Sequence, residues 1–284
     1  MKDRERVAQV LAGVKALPTL PDVAMRLLDL QKNPNVSGAE MAQIIERDMA
    51  LTTRVLKLVN SPFFGLRHEV TSVQQAVVFV GMTNLRTIVI AGAVSNMFDR
   101  DGAVGSFQRA EFWKHSLAVA AVAKSLATQT RISDPQIAFT AGLIHDMGKV
   151  VLDRYLHEDF AKIVRLMDER RMVMRDAELA ILAVDHAEIG HHLGLRWNLP
   201  DVLREAIGYH HNVLAAPTQP PVVALIALAD IAARAMNIGS GGGKHPQLDA
   251  AALRICNVEE TTLRRWTEEW SAPLMEQVQT LAVS

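Results

Sequence analysis

His145 and Asp146 stand side by side in Ala141-Gly-Leu-Ile-His-Asp-Met-Gly-Lys149, and no other stretch of the chain concentrates so much potential chemistry. A neutral imidazole next to a carboxylate can bind one or two divalent cations. Lys149, one turn further on, can hold a phosphate oxygen. Alanine and glycine one turn before His145 allow a close helix approach. Upstream, His115 shares a helical face with Val119, Val122 and Leu126. Downstream, His186 follows Asp185, with His191 and His192 within two turns. His210 and His211 close an amphipathic segment that starts at Pro200. Asp230 interrupts the apolar run Val222–Ala229 and shares a face with Val223, Ile226 and Ala233. A carboxylate on such a face needs a partner, because an unpaired buried charge is costly. A metal ion, a histidinium or an arginine each satisfies that need.

Taken singly, each histidine also fits a core imidazole bonded to a carbonyl, and the His-His pair fits a helix end. Taken together, the order His, His-Asp, His, His-His, Asp points to a metal site with candidate ligands His115, His145, Asp146, His186, His210, His211 and Asp230. Neighbours on a regular helix project about 100° apart, so His210 and His211 do not easily reach the same ion. They suit two ions, or one ion and a substrate phosphate. The donors are nitrogen and oxygen only, which favours Fe, Mn, Mg or catalytic Zn over structural Zn. The chemistry expected of such a set is hydrolysis of a phosphoester. Asp146 and Lys149 then occupy the catalytic positions, with Lys149 stabilising developing negative charge.

Those residues must be positioned by helices. Apolar residues recur at helical spacing in Val23, Leu27 and Leu30, in Met41, Ile44 and Ile45, and in Leu51, Val55, Leu58 and Val59. Ser37-Gly-Ala-Glu40 and Thr71-Ser-Val-Gln74 read as capping boxes. Ser133-Asp134-Pro135 reads as a cap followed by a proline in the first turn. Val77–Val80 is rich in strand formers but sits in a capped run, and reads as helix. The fold class is therefore all-α. Polar and glycine residues at Asp99-Arg-Asp-Gly102 mark a subdomain boundary near residue 100, before a helix that begins around Gln108. The expected division is 1–100 and 101–284. Gly239-Ser-Gly-Gly-Gly243 reads as a surface loop. The C-terminal series Trp266, Trp270, Leu274 and Val278 reads first as core cover and second as a dimer face.

Composition narrows the function. Hydrophobic residues make up 49% and aromatics only 5%, so the core is aliphatic and offers little surface for stacking bases. Thirty basic and thirty-one acidic residues leave a net charge of −1, with no electrostatic footprint for nucleic acid or membrane. Arg47, Arg54, Lys57, Arg67 and Arg86 read as solvated helix faces before they read as a basic patch. Cys256 is the only cysteine, so an intrachain disulfide is excluded. No apolar run approaches the roughly 18 residues of a membrane span. The expected setting is the cytoplasm.

The chain resembles the HD superfamily of metal-dependent phosphohydrolases, and more closely the HDOD family, the HD-related output domain. In the first half the resemblance rests on Leu17-Pro-x-Leu-Pro21, Ile45-Glu-Arg-Asp48, Leu58-Val-Asn-Ser61 and Ala76–Gly81. In the second half it rests on Phe112-Trp-Lys-His-Ser116, Gly142–Lys149, Asp185–Gly190, Trp197-Asn-Leu-Pro200 and Ala206–His211. It implies two packed helical parts, the second an HD-like bundle. It also implies a bacterial signalling role as an output module that binds a signalling protein or a nucleotide. A Gly-Tyr-Pro signature follows the His-His pair in the related cyclic di-GMP phosphodiesterases. Here Asn212-Val-Leu-Ala-Ala-Pro217 follows instead, which argues against cyclic di-GMP hydrolysis. Two readings stay open: a regulatory module that binds a partner or nucleotide, and a metal-dependent phosphohydrolase.

Overall fold

The computed structural model describes residues 7–11, 22–30, 36–82, 84–85, 88–89, 102–240, 242–243 and 247–283. The described residues are overwhelmingly helical, and the fold is all-α. No helix among them is long and apolar enough to cross a membrane. Contacts divide the chain into two compact units, Thr19–Met97 and Phe98–Ser284, the latter together with Met1–Pro18. Asp99–Asp101, where the sequence breaks, lie outside the described residues, as does the Leu17–Pro21 motif.

The first unit holds α1 (Asp22–Leu30), α2 (Gly38–Ile45), α3 (Met49–Val59) and α4 (Val73–Val80), and side-chain caps start the last three. Ser37 and Glu40 form a reciprocal capping box at the start of α2. Asp48 caps α3 by accepting from the Leu51 amide at 2.9 Å. The expected box at Thr71–Gln74 is displaced by one residue. Ser72 is the cap and accepts from Gln75 N, while Gln75 Oε1 reaches back to Thr71 N at 2.9 Å. Of the predicted periodic faces, Leu27, Met41, Ile45, Leu51, Val55 and Val59 are buried, and Val23, Ile44 and Leu58 are half-buried at their edges; Val73 and Ala76 of α4 are buried as well. Arg47, Arg54, Lys57 and Arg67 are exposed; Arg86 lies outside the described residues.

The second unit opens with a hairpin that the sequence does not announce. In it β1 (Ala103–Val104) pairs antiparallel with β2 (Phe107–Gln108). Two-residue strands carry too little alternation to be read from sequence. The hairpin is tied down by Asp168, which accepts from Ser106 N and Oγ. Next come α5 (Arg109–Thr130), α6 (Pro135–Ile144), α7 (Met147–Tyr155), α8 (His157–Arg170) and α9 (Met174–Leu182). Then follow α10 (His186–Arg196), α11 (Asp201–Tyr209), α12 (Pro220–Ala235), α13 (Ala250–Cys256) and α14 (Glu260–Val283). α5 is the central post and packs against α6, α12 and α14. It is buried almost all round, as its alanine- and valine-rich sequence requires. The Asp134 carboxylate caps α6 ahead of Pro135, as expected. Glu205 of α11 accepts from Thr218 N, Thr218 Oγ1 and Gln219 N, and so fixes the chain entering α12. On α14, Leu263, Leu274 and Val278 are buried, while Trp266 and Trp270 stack half-buried with ring centres 5.6 Å apart.

The glycine run after α12 is the expected surface loop only in part: Ser240 and Gly243 are exposed, while Gly239 lies against α5. Gly242 is buried, and Gly243 pairs with Val173. A Cβ at Gly239 would fall 2.3 Å from the His115 amide nitrogen, and Ser240 N donates to Glu111 O at 3.0 Å. Gly239 is a glycine because its backbone lies directly on α5, whereas Gly242 and Gly243 lie against Met172 and Met174.

Candidate metal centre

His145 ends α6, and Asp146 begins the turn into α7. α6 lies close on α5 at this point: a Cβ at Gly142 would sit 2.8 Å from Ala120 Cα. His145 Nδ1 donates to Gly142 O at 2.7 Å, which leaves Nε2 as the free acceptor. His210 follows α11 and repeats the arrangement, with Nδ1 donating to Ile207 O at 2.9 Å. His186 is the first residue of α10, whose capping box is made by Asp185 and Glu188. Its Nδ1 lies 2.6 Å from Glu178 Oε2, and its backbone amide donates to the same oxygen at 2.9 Å. Three imidazoles thus have one nitrogen anchored and Nε2 turned inward, the orientation by which proteins prepare histidine as a ligand.

Asp146 is the hub. Its Oδ1 lies 3.0 Å from His186 Nε2 and 3.6 Å from His210 Nε2. Its Oδ2 lies 3.3 Å from His145 Nε2 and 4.0 Å from His115 Nε2, and accepts from Lys149 Nζ. His211 Nε2 is 3.0 Å from His186 Nε2. Asp146, His186, His210 and His211 each bring a donor atom within 4.8 Å of the others, and so do His115, His145 and Asp146. Asp146 Oδ1, His145 Nε2 and His210 Nε2 are buried, and apart from one another and from His186 Nε2, 3.0 Å from Oδ1, they have no hydrogen-bond partner. Buried polar atoms are seldom left so. Convergent, unpartnered nitrogen and oxygen donors fit a divalent cation.

Asp230 stands apart from both groups. Its Oδ1 is 2.9 Å from His115 Nε2 and accepts from Arg234 Nε at 2.8 Å, so an arginine supplies its charge partner. Ionisation follows this wiring. Burial drives the His115 imidazole down to about 4 despite Asp230. Burial opposes charge on Asp146 too, but His145, Lys149 and His186 outweigh it and hold the carboxyl well below its usual range. Burial also works against His186, but the Glu178 carboxylate prevails and lifts it to about 9. His210 and His211 are lowered, chiefly by burial.

The HDOD domain profile matches residues 17–213. The chain belongs to the HDOD family. The crystal structure of an HDOD domain protein of unknown function from Geobacter sulfurreducens is 28% identical to it, with a TM-score of 0.81. That likeness covers 99% of this chain and 98% of the other. An uncharacterised protein of Treponema pallidum is 28% identical over 281 residues, which is 96% of this chain and 52% of that protein. The cyclic di-GMP phosphodiesterase CdgJ of Vibrio cholerae is 25% identical over 160 residues, which is 55% of this chain and 34% of that protein. The chain thus spans about half the length of the first of these curated relatives and a third of the second.

In this HDOD chain a cavity of about 700 Å³ opens beside the hub. His186, His210 and His211 reach its wall, which carries charge of both signs: Lys149, Arg171, Arg175 and Arg234 against Asp176, Asp230 and Asp249. His115, His145 and Asp146 are not among its lining residues. Of the other histidines in this half, His157 pairs with Asp153 and His191 packs on Tyr209. Sequence reasoning missed Glu178 and Arg234. Glu178 falls on the Met174–Leu182 face of a short helix, where a fully buried carboxylate signals a partner. Arg234 lies four residues after Asp230, the spacing of a helical ion pair.

Proposed function

We propose that this HDOD chain is a signal-transduction module whose C-terminal unit receives a phosphate-bearing small molecule of nucleotide type at a divalent cation. The observation that carries this reading is the Asp146 carboxylate. It is ringed by imidazoles whose outer nitrogens are anchored, next to a cavity whose wall offers Lys149, Arg171 and Arg175 among its charged side chains. Asp146, His145, His186, His210 and His211 are the residues that would hold the cation, with His115 behind them. When bound, it supplies a Lewis acid for a phosphoryl oxygen.

The chain's own side chains do the rest. Arg171 and Arg175 attract an anion towards the mouth of the cavity, and focused positive potential raises the local concentration of such a ligand. Arg175 is oriented by Asp185, which accepts from its Nε at 2.6 Å. Lys149 holds its ammonium on Asp146 and borders the cavity, where it can share a phosphate oxygen. A protein partner that reads the ligand-bound state completes this proposal.

Hydrolysis of the bound phosphoester is the second reading. Its specific support is Lys149, a charged donor beside both the hub and the cavity, suited to negative charge that develops on phosphorus oxygens. Asn212 stands where a Gly-Tyr-Pro signature would begin, so cyclic di-GMP is not the substrate we expect.

Elemental analysis of untagged, chelator-free protein tests the first step, followed by calorimetry of the loaded chain with mono- and dinucleotides. Metal uptake with micromolar nucleotide binding supports the proposal. Metal uptake with no nucleotide binding sinks the ligand assignment. Turnover of a bound phosphoester, abolished by Asp146→Ala, moves the chain to the second reading.

A further inference from the structure

We infer that α9 is the yielding wall of the cavity: in the free chain it is held more by polar ties than by packing, and a bound polyphosphate fastens it to α7. The inference deepens the reading above, that the cavity receives a phosphate-bearing ligand, and rests on it.

α9 has little apolar surface to hold it. Of its nine residues Met174, Ala177 and Glu178 are buried, and one of those three is a carboxylate. Leu179 and Ile181 are apolar yet exposed, at 38% and 39%. The helix packs chiefly on α8, which itself buries Phe160, Ile163, Val164 and Met167. Apolar burial is the main force that keeps an element in place, so α9 opens more readily than α8. Its boundaries agree. α8 gives way at Arg171 and α9 at Ala183, each in the left-handed region with φ of 50° and 59°. Such element-terminal positions are where helix motions are absorbed.

Two polar ties hold the helix, and both run to the start of α10. Glu178 accepts from the His186 amide at 2.9 Å and lies 2.6 Å from the His186 ring nitrogen. Arg175 Nε donates to Asp185 at 2.6 Å, with the arginine side chain 38% exposed. A pair so open to water contributes little to stability. Only Nε of Arg175 is committed among the described residues, so its terminal nitrogens can turn to an anion.

The cavity's cations stand on different elements. Arg171 and Arg175 flank the start of α9, whereas Lys149 belongs to α7. A ligand with several phosphate oxygens that engages both sets ties one helix to the other. The carboxylates of the wall are otherwise occupied. Asp230 accepts from Arg234, and Asp249 caps α13 by accepting from Ala251 N at 2.7 Å. Asp176 is exposed, where water and salt screen it. Binding that orders an element is read as protection of that element's amides.

The test is hydrogen–deuterium exchange of the full chain, read by mass spectrometry with and without inorganic triphosphate in the presence of Mn²⁺. Calorimetry first establishes that triphosphate binds. In the free chain, peptides from Met174–Leu182 should exchange at least about tenfold faster than those from α8. Saturating triphosphate should slow them about tenfold and leave α8 unchanged. Arg175→Gln should lose most of that slowing. If Arg175→Gln does not fold, the wild-type comparison still decides. Exchange in α9 as slow as in α8, triphosphate binding that leaves α9 unchanged, or full slowing kept in Arg175→Gln would each overturn the inference and leave the phosphate reading intact. No triphosphate binding at millimolar concentration would overturn both.

Discussion

Gly148 on α7 lies so close to His186 on α10 that a Cβ on Gly148 would fall 1.9 Å from the His186 carbonyl oxygen and 2.7 Å from its carbon. The two helices therefore meet backbone to backbone, two residues beyond Asp146. That contact fixes how far His186 stands from the hub carboxylate, 3.0 Å from Nε2 to Oδ1. Any side chain at residue 148 must push α10 outward. Overpacking of a filled interior costs about 1–3 kcal/mol. Gly148→Ala should therefore lower stability by at least about 2 kcal/mol and weaken metal uptake more than tenfold. Urea melts and metal titration check the two effects separately. A folded variant with wild-type uptake would show that this contact does not set the site.

Glu178 lies behind His186 and bonds both its ring and its backbone amide. Loss of such an outer partner commonly costs 10–100-fold in metal affinity. Glu178→Gln keeps an acceptor for the ring but removes the charge, so its expected loss is about tenfold. Glu178→Ala removes both and should lose more. Equal affinities in wild type and both variants would reduce Glu178 to a packing role.

Much of this is legible in the amino-acid order alone, and the limits have physical causes. Helical class follows from periodic apolar faces such as Leu51, Val55 and Val59, all of which are buried. The histidines that converge on Asp146 group by residue type and order alone. Asp230 is legible as a buried carboxylate needing a partner, but the choice between metal and arginine is not. Both satisfy the same charge, and only geometry separates them. Glu178 is hidden because its role depends on a contact between helices α9 and α10. The glycine run at residue 239 misleads in part because glycine serves both a mobile loop and a close backbone approach. Composition cannot tell these apart.

Asn60 offers a test in the first unit. Its side chain donates to Val70 O at 2.8 Å and accepts from Val70 N at 2.7 Å, so it pairs with both backbone groups of one residue. This closes the connection between α3 and α4. Asn60→Ala should cost about 1–3 kcal/mol, the range for stranding such groups. Asn60→Asp should be intermediate, since it can accept from Val70 N but cannot donate to Val70 O. Chemical denaturation of the full chain measures both. A loss below about 0.5 kcal/mol in Asn60→Ala would mean that water replaces the side chain freely.

Cys256 ends α13, is 1% exposed, and has its thiol pushed up to about 12 by burial. The thiolate is the reactive species, so the native chain should resist iodoacetamide at pH 8 while the urea-unfolded chain reacts at the rate of a free thiol. The same shift has a sign for stability. The folded pKa lies above the ordinary value of 9.0, so the folded state favours the protonated thiol. That preference is fully present below pH 9 and is lost as the pH rises towards about 12. Replacing the thiol by Cys256→Ala should therefore flatten the alkaline limb of the stability profile between those values. It should also lower the plateau below pH 9, because the buried sulfur no longer packs. Rapid labelling of the native protein at pH 8 would show that the end of α13 opens locally, at far less cost than global unfolding.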